Sequence, residues 1–232
     1  MNFVIERYDT VTSTNDLLKE KACAGAPAGT VVVAARQTAG RGRMGRSFLS
    51  EEGGLYMSVL LRPKGAAADA LQITAHAAVA VSLAVEKHTE KSCAIKWVND
   101  IYQDGKKVCG ILAEGRASAG GMDFVVLGIG VNLKEPDGGF PAGLRDIAGA
   151  LATEVDKEAF LCDILANLAT EPVYAEYAKR DMLFGKTVTV YRGGEAVCHA
   201  VANGITADFG LRIVTERGEE VLRTGEVTVR IQ

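Results

Sequence analysis

Apolar and polar positions along this chain follow two spacings. Strand-length apolar runs occur at 3–8, 30–35, 54–61, 94–102, 107–114 and 123–133, and they predict β-strands. Two stretches instead have helical composition. Ala66 to Thr89 is Ala-rich and carries Leu71, Ile73, Ala77, Val81, Leu83, Ala84 and Val85, which suits a helix packed on a sheet. Asp156 to Arg180 sets Phe160, Leu161, Ile164, Leu165 and Leu168 on one side, and Pro172 is expected to break or kink it. A shorter helix is expected to start near Ser13, because Ser13-Thr14-Asn15-Asp16 offers cap chemistry, and Gly25-Ala26-Pro27 ends it. An Asp-Gly turn at 103–106 makes a hairpin of the strands around it, with a second turn at Ala119-Gly120-Gly121. In that hairpin, positions 96, 98 and 100 should share one face, as should 107 and 109.

The pattern changes after Phe184-Gly185. Short strands at 187–191, 196–202, 211–214, 220–222 and 227–231 are separated by Gly193-Gly194, Asp208-Phe209-Gly210 and Arg217-Gly218. They predict a small all-β barrel of roughly SH3 size, with a boundary near Met182 to Phe184. The expected domains are therefore residues 1–183 and 184–232.

Composition narrows the function. With 48% hydrophobic residues the chain can build a core, and disorder is not expected. A net charge of −3 argues against general nucleic-acid binding, and no DNA partner is expected. No apolar run reaches membrane-spanning length, and MNFVIERYDT lacks a signal peptide's pattern. The five cysteines are scattered and odd in number, as for free thiols in a reducing cytoplasm. The three histidines form no ligand-spaced pair, so no structural metal is expected.

Against that acidic background, Gln37 to Phe48 (QTAGRGRMGRSF) stands out. Its glycines let backbone amides approach an oxygen-rich ligand, and Arg41, Arg43 and Arg46 offer charged forks for phosphate or carboxylate. Taken alone, the motif also suits a solvated basic loop or a nucleic-acid patch. A Walker A reading fails, because Arg46 stands where its lysine would be and no helix opens after it. Gly128-x-Gly130 is likewise no dinucleotide fingerprint, since Leu133 and Glu135-Pro136 follow. Glycines inside a strand mean close packing of another group, either a ligand or a strand. Ser13 and Thr14 suit either capping or a ligand at the helix start. Asn99, Asp100 and Lys107 group an amide, a carboxylate and a lysine around the hairpin. With the arginines, Lys107 would neutralise a phosphate-rich transition state, and Asp100 would align an amine or accept its proton.

Taken together and in order, these segments resemble the biotin–protein ligases (biotin–[acetyl-CoA-carboxylase] ligases). The resemblance rests on Ser13-Thr14-Asn15, GRGRMGR at 40–46, KWVND at 96–100, Lys107-Val108-Cys109-Gly110-Ile111-Leu112, Gly128-Ile129-Gly130-Val131-Asn132 and the terminal Gly225-Glu226-Val227-Thr228-Val229-Arg230. It implies an α+β fold: a mixed central β-sheet flanked by helices, like class II aminoacyl-tRNA synthetases, with a small carboxy-terminal SH3-like barrel. It implies an ATP-dependent, AMP-forming ligase that makes biotinyl-5′-AMP and passes biotin to a lysine of a biotin carboxyl carrier domain, with Mg²⁺ as cofactor. The metal ligands are not specified.

The resemblance also implies residue roles. Ser13, Thr14, Asn15, Gln37, Gly40, Arg41, Lys107, Gly110, Gly128 and Gly130 would contact biotin. Arg41, Arg43, Arg46, Phe48, Asn99, Lys107 and Asn132 would serve ATP or the adenylate, and Lys107, Arg43 and Asp100 would be catalytic. Relatives associate through the central sheet, so a homodimer is a further expected partner. Many relatives carry an amino-terminal DNA-binding domain, for which the residues before Ser13 leave no room. Three positions depart from the family: Val98 stands for its usual proline, Phe48 for a tryptophan, and Ser50-Glu51-Glu52 for Ser-Pro. None removes a charged group from the chemistry.

Overall fold

A computed structural model describes residues 1–63, 70–118, 121–151, 153–171, 174–223 and 227–231. The expected turn at Ala119-Gly120, the break at Pro172, residues 66–69 of the expected helix and Gly225-Glu226 lie outside them.

The strands follow the apolar runs: β1 (Val4–Val11), β2 (Thr30–Gln37), β3 (Leu55–Leu61), β4 (Ala94–Lys96), β5 (Asp100–Gln103), β6 (Lys106–Ser118) and β7 (Gly121–Val131). They form one mixed sheet in the order β1-β2-β3-β7-β6-β5-β4, with β1 parallel to β2 and the other pairs antiparallel. Helices are α1 (Thr14–Cys23), α2 (Ala70–Thr89), α3 (Lys157–Leu168) and α4 (Tyr174–Lys179). The helical stretch expected from Asp156 to Arg180 is two helices, α3 and α4.

Alternation along the strands assigns each residue to a face. Val31 and Val33 of β2, Met57 and Val59 of β3, and Leu127 and Ile129 of β7 join the main core with α2 and α3. Val32, Leu60 and Val126 point to the opposite face, where α1 packs Leu18 and Ala22 on them. Leu18 is fully buried, and such a side chain contributes about 2 kcal/mol. Ser58, Gly128 and Gly130 share this α1-side parity; Ser58 and Gly128 meet the first turn of α1, and Gly130 meets the Phe48 ring. A cleft opens here because the sheet supplies a hydroxyl and two bare backbones where bulky side chains would fill the space.

The carboxy-terminal strands β8 (Thr187–Arg192), β9 (Glu195–Ile205), β10 (Leu211–Thr215), β11 (Gly218–Leu222) and β12 (Val227–Ile231) form an antiparallel sheet ordered β11-β10-β9-β8-β12. Its core is continuous with that of the large sheet. Trp97 Nε1 donates to the Phe209 carbonyl (2.9 Å), Tyr174 Oη donates to the Ile205 carbonyl (2.8 Å), and the Tyr177 ring meets Phe209 edge-on. No helix among the described residues is long and apolar enough to cross a membrane.

Two local expectations change around the expected hairpin. The run 94–102 is not one strand. It turns sharply at Trp97–Asn99, so that Lys96 pairs with Asp100 across β4 and β5. Positions 96, 98 and 100 therefore do not alternate along one strand. Burial of Trp97 and Val98, with the bonds Trp97 to Phe209 and Tyr177 to the Val98 carbonyl, holds the turn. In β6, Lys107 and Cys109 do not share a face either. The pairing shifts between Ile101–Cys109 and Tyr102–Lys107, leaving Val108 as an extra residue. Such a bulge re-aims the side chain beside it. Cys109 enters the core, while the Lys107 side chain lies along Gly110.

Candidate active site

The floor of the cleft is the paired backbone of β6 and β7, with Gly110 opposite Gly130 and Leu112 opposite Gly128. A methyl group on Gly128 would stand 2.3 Å from Asn15 Oδ1, and one on Gly130 would stand 2.7 Å from the Phe48 ring. The groups that pack against these strand glycines are thus an asparagine and an aromatic ring. Gly128→Ala is expected to cost about 2 kcal/mol by overpacking Asn15. Thermal unfolding identical to the wild type would mean that Asn15 turns aside freely.

The wall is the start of α1. Ser13 caps it, its hydroxyl accepting from the Asp16 amide at 3.4 Å. Ser13, Thr14 and Asn15 are all buried. Gln37 Oε1 accepts from the Thr14 backbone N–H (2.8 Å) and lies 3.0 Å from the Thr14 hydroxyl, while Gln37 Nε2 donates to Ser50 Oγ (2.8 Å). Ser58 Oγ lies 2.8 Å from Thr14 Oγ1 and 2.6 Å from Asn15 Oδ1. Asn15 Nδ2 donates to Glu114 Oε2 at 2.7 Å. Burial alone would raise the Glu114 pKa, but bonds from Asn15 and Lys19 and the charge of Arg41 bring it below its ordinary value.

The arginine loop forms the lid. Gly40 lets its two arms touch, since a methyl there would stand 2.4 Å from the Phe48 carbonyl oxygen. Arg41 reaches outward to Asp16 (2.8 Å) and Glu114 (2.9 Å), tying the lid to α1 and β6. Arg43 turns inward and donates to Asn99 Oδ1 (2.7 Å). Burial lowers its pKa, offset in part by Asp100, and a guanidinium stays charged regardless. Phe48 lies on Gly110 and Gly130 and meets Tyr56 edge-on.

A second cleft adjoins the first and shares Gly42, Arg43, Phe48, Asn99 and Lys107 with it. Arg43, Arg46, Lys96, Lys107 and Arg230 line it, and among the described lining residues Asp100 is the single carboxylate. Lys107 Nζ pairs with Asp100 Oδ1 at 2.7 Å, and Asn99 Nδ2 donates to the same oxygen at 2.8 Å. Burial lowers the Lys96 pKa, Asp100 counters it, and Lys107, Arg230 and Arg46 add to the lowering. Five cations around one carboxylate make a site for a polyanion.

A profile of the biotin/lipoate A/B protein ligase family matches residues 8–132, which span the lid, the α1 wall and the β6–β7 floor. The chain belongs to this family. It is 41% identical over 175 residues to the bifunctional ligase/repressor BirA of Bacillus subtilis, covering 73% of this chain and 53% of that protein. The chain thus spans about half the length of that relative. It is 33% identical to the biotin–[acetyl-CoA-carboxylase] ligase of Paracoccus denitrificans, covering 84% of this chain and 88% of the relative. Its fold is similar to that of the biotin protein ligase from Aquifex aeolicus solved in complex with biotin and ATP, with a TM-score of 0.84, 31% identity, and 98% and 99% of the two chains covered.

The first cleft brings together Ser13, Thr14, Asn15, Gln37, Arg41, Arg43, Phe48, Asn99, Lys107, Gly110, Gly128 and Gly130. Gly40, within the lid, lines neither cleft. Arg46 and Asp100 stand in the second cleft. Asn132 lines neither: its amide donates to the Gly149 carbonyl at 2.9 Å and holds that segment on the sheet. Sequence reading missed Ser58, Glu114, Asp16, Lys96 and the place of Arg230 in the lining of the second cleft. Ser58 did carry a signal, as the single hydroxyl in the strand Leu55-Tyr56-Met57-Ser58-Val59-Leu60-Leu61 other than the tyrosine.

Proposed function

We propose that this chain activates biotin with ATP to biotinyl-5′-AMP and transfers the biotinyl group to a lysine of a biotin carboxyl carrier domain of acetyl-CoA carboxylase or a related carboxylase. The observation that carries this reading is the junction of the two clefts. A narrow, hydrogen-bonding slot under an arginine lid opens into a cation-lined pocket, and Arg43, Asn99 and Lys107 stand where they meet.

In the first step a biotin carboxylate oxygen bonds to the α-phosphorus of ATP and pyrophosphate leaves. Anion meets anion, so fixed cations must hold the developing charge. Lys107 and Arg43 would do so at the junction, with Arg46 on the departing phosphates and Asn99 orienting Arg43. The ring system of biotin would lie in the slot against Ser13, Thr14, Asn15, Gln37, Gly110, Gly128 and Gly130. The lid residues Gly40, Arg41 and Phe48 would close over it and keep water from the adenylate. Asn132 would act on the nucleotide side through the segment it holds.

In the second step the carrier amine attacks the acyl carbon, AMP leaves with the bonding pair, and the amine loses a proton. Asp100 would align that amine. It holds the Lys107 ammonium at 2.7 Å. A bound anion that draws Lys107 away would leave the carboxylate to the incoming lysine.

Mg²⁺ belongs to the reading as a companion of ATP. No group of three or more His, Cys, Asp or Glu side chains converges among the described residues. Asp100 and the phosphate oxygens are the hard donors that fit an ion which keeps several waters and takes one or two carboxylates. The ion would supply further neutralisation of phosphate charge. The reading places the enzyme in the cytoplasm with no DNA partner. It includes a homodimer along the outer edge of β6 at 113–118, which among the described residues pairs with no strand.

Biotin-dependent exchange of pyrophosphate into ATP, without any carrier, tests the first step. Exchange is expected with biotin. Exchange with lipoate or octanoate but none with biotin would overturn the assignment.

A further inference from the structure

The hydrogen bonds beneath the slot have a direction that their chemistry dictates. Glu114 Oε1 is held by Lys19 (2.7 Å) and Arg41 (2.9 Å), and its Oε2 lies 2.7 Å from Asn15 Nδ2. A carboxylate only accepts, so the amide NH₂ of Asn15 must face it and Asn15 Oδ1 must face Ser58. An amide oxygen also only accepts. The single O–H of Ser58 is therefore committed to Asn15 Oδ1, 2.6 Å away. Ser58 Oγ can then only accept from Thr14, 2.8 Å away. On the other side, Gln37 Oε1 takes the Thr14 backbone N–H and lies 3.0 Å from the Thr14 hydroxyl. Both protein neighbours of Thr14 Oγ1 are acceptors toward it. Its proton goes to one of them, and its lone pairs are left for the slot it lines. Ser58 has no solvent exposure, so water cannot reverse the chain of bonds.

We propose that Ser58 and Glu114 are specificity-determining positioning residues that hold Thr14 Oγ1 as an acceptor and so select a ligand presenting N–H there. This rests on the biotin reading above, in which the ureido edge supplies that N–H. A ring oxygen at the same place would set lone pair against lone pair. Neither Ser58 nor Glu114 touches the ligand in this scheme.

The test is pyrophosphate exchange with biotin and with a cyclic carbamate analogue in which a ureido N–H is replaced by oxygen. The wild type is expected to prefer biotin by a hundredfold or more in kcat/KM. In Ser58→Ala, Thr14 loses one of its two acceptors, and Asn15 Oδ1 loses its donor. KM for biotin should rise roughly tenfold while KM for ATP stays, and the preference over the carbamate should narrow by about the same factor. Glu114→Gln leaves the core untouched and lets the Asn15 amide face either way. It should narrow the preference too, and it carries the test if Ser58→Ala folds poorly. Wild-type preference retained in both variants overturns the inference, as does a KM for biotin that rises only in step with the KM for ATP. A wild type that exchanges without regard to biotin overturns the biotin reading and this inference with it.

Discussion

Lys107→Ala is expected to slow biotin-dependent adenylate formation about a hundredfold. One electrostatic contact aimed at developing charge is worth on the order of 3 kcal/mol, which sets that factor. The lysine is not a folding residue: its side chain is 30% exposed and its ammonium pairs with Asp100 at the edge of a cleft. Asp100 keeps a partner after the substitution, because Asn99 Nδ2 still donates to it at 2.8 Å. Thermal unfolding should therefore change little. Asp100→Asn is expected to act on the other half-reaction. It keeps shape and hydrogen bonding but loses the charge that aligns an ammonium. Adenylate should still form, and transfer should slow when purified adenylate is supplied in a single turnover. Normal adenylate formation by Lys107→Ala together with wild-type transfer by Asp100→Asn would make the hairpin purely structural.

Arg180→Met is expected to lower stability by about 3 kcal/mol while leaving the clefts chemically intact. Arg180 is 4% exposed, follows α4, and bridges Glu86 of α2 and Glu176 of α4 at 2.5 Å each. Burial alone would lower its pKa, but its bonds to the Glu86 and Glu176 carboxylates and their charges outweigh this, and the net shift is upward. Methionine keeps the stem and removes the guanidinium, leaving two carboxylates facing each other. The effect sits at the low end for a broken buried pair because Glu86 and Glu176 keep 26% and 34% exposure. For a chain of this length the melting temperature should fall by about 10 °C. A fall of only a degree or two would show that the carboxylates find water at no cost.

Much of the scaffold was legible because its signals are local. The cap at Ser13 precedes a helix, as hydroxyl-rich cap chemistry directs. The apolar runs at 30–35, 54–61 and 123–133 are strands β2, β3 and β7, as their length and composition direct. Gly128 and Gly130 announced close packing, and the GRGRMGR run announced a charged lid. Composition likewise separated the second sheet from the first.

Other features depended on which strand lies beside which. Whether Lys107 follows Cys109 into the core or turns to Gly110 depends on one unpaired residue, Val108. That bulge exists only in the register between β5 and β6. The turn at Trp97–Asn99 is held by Phe209 and Tyr177, more than seventy residues away. Asn132 reads as a cleft residue beside Gly130, yet its amide is engaged by Gly149. Glu114 reads as an ordinary strand residue, and the lone hydroxyl of Ser58 has no partner in its own strand, until α1 brings Asn15 between them. Strand periodicity, capping and composition belong to the chain alone. Donor and acceptor direction, ion pairing and the aim of a side chain beside a bulge belong to pairs of residues distant in sequence, and only their tertiary contact decides them.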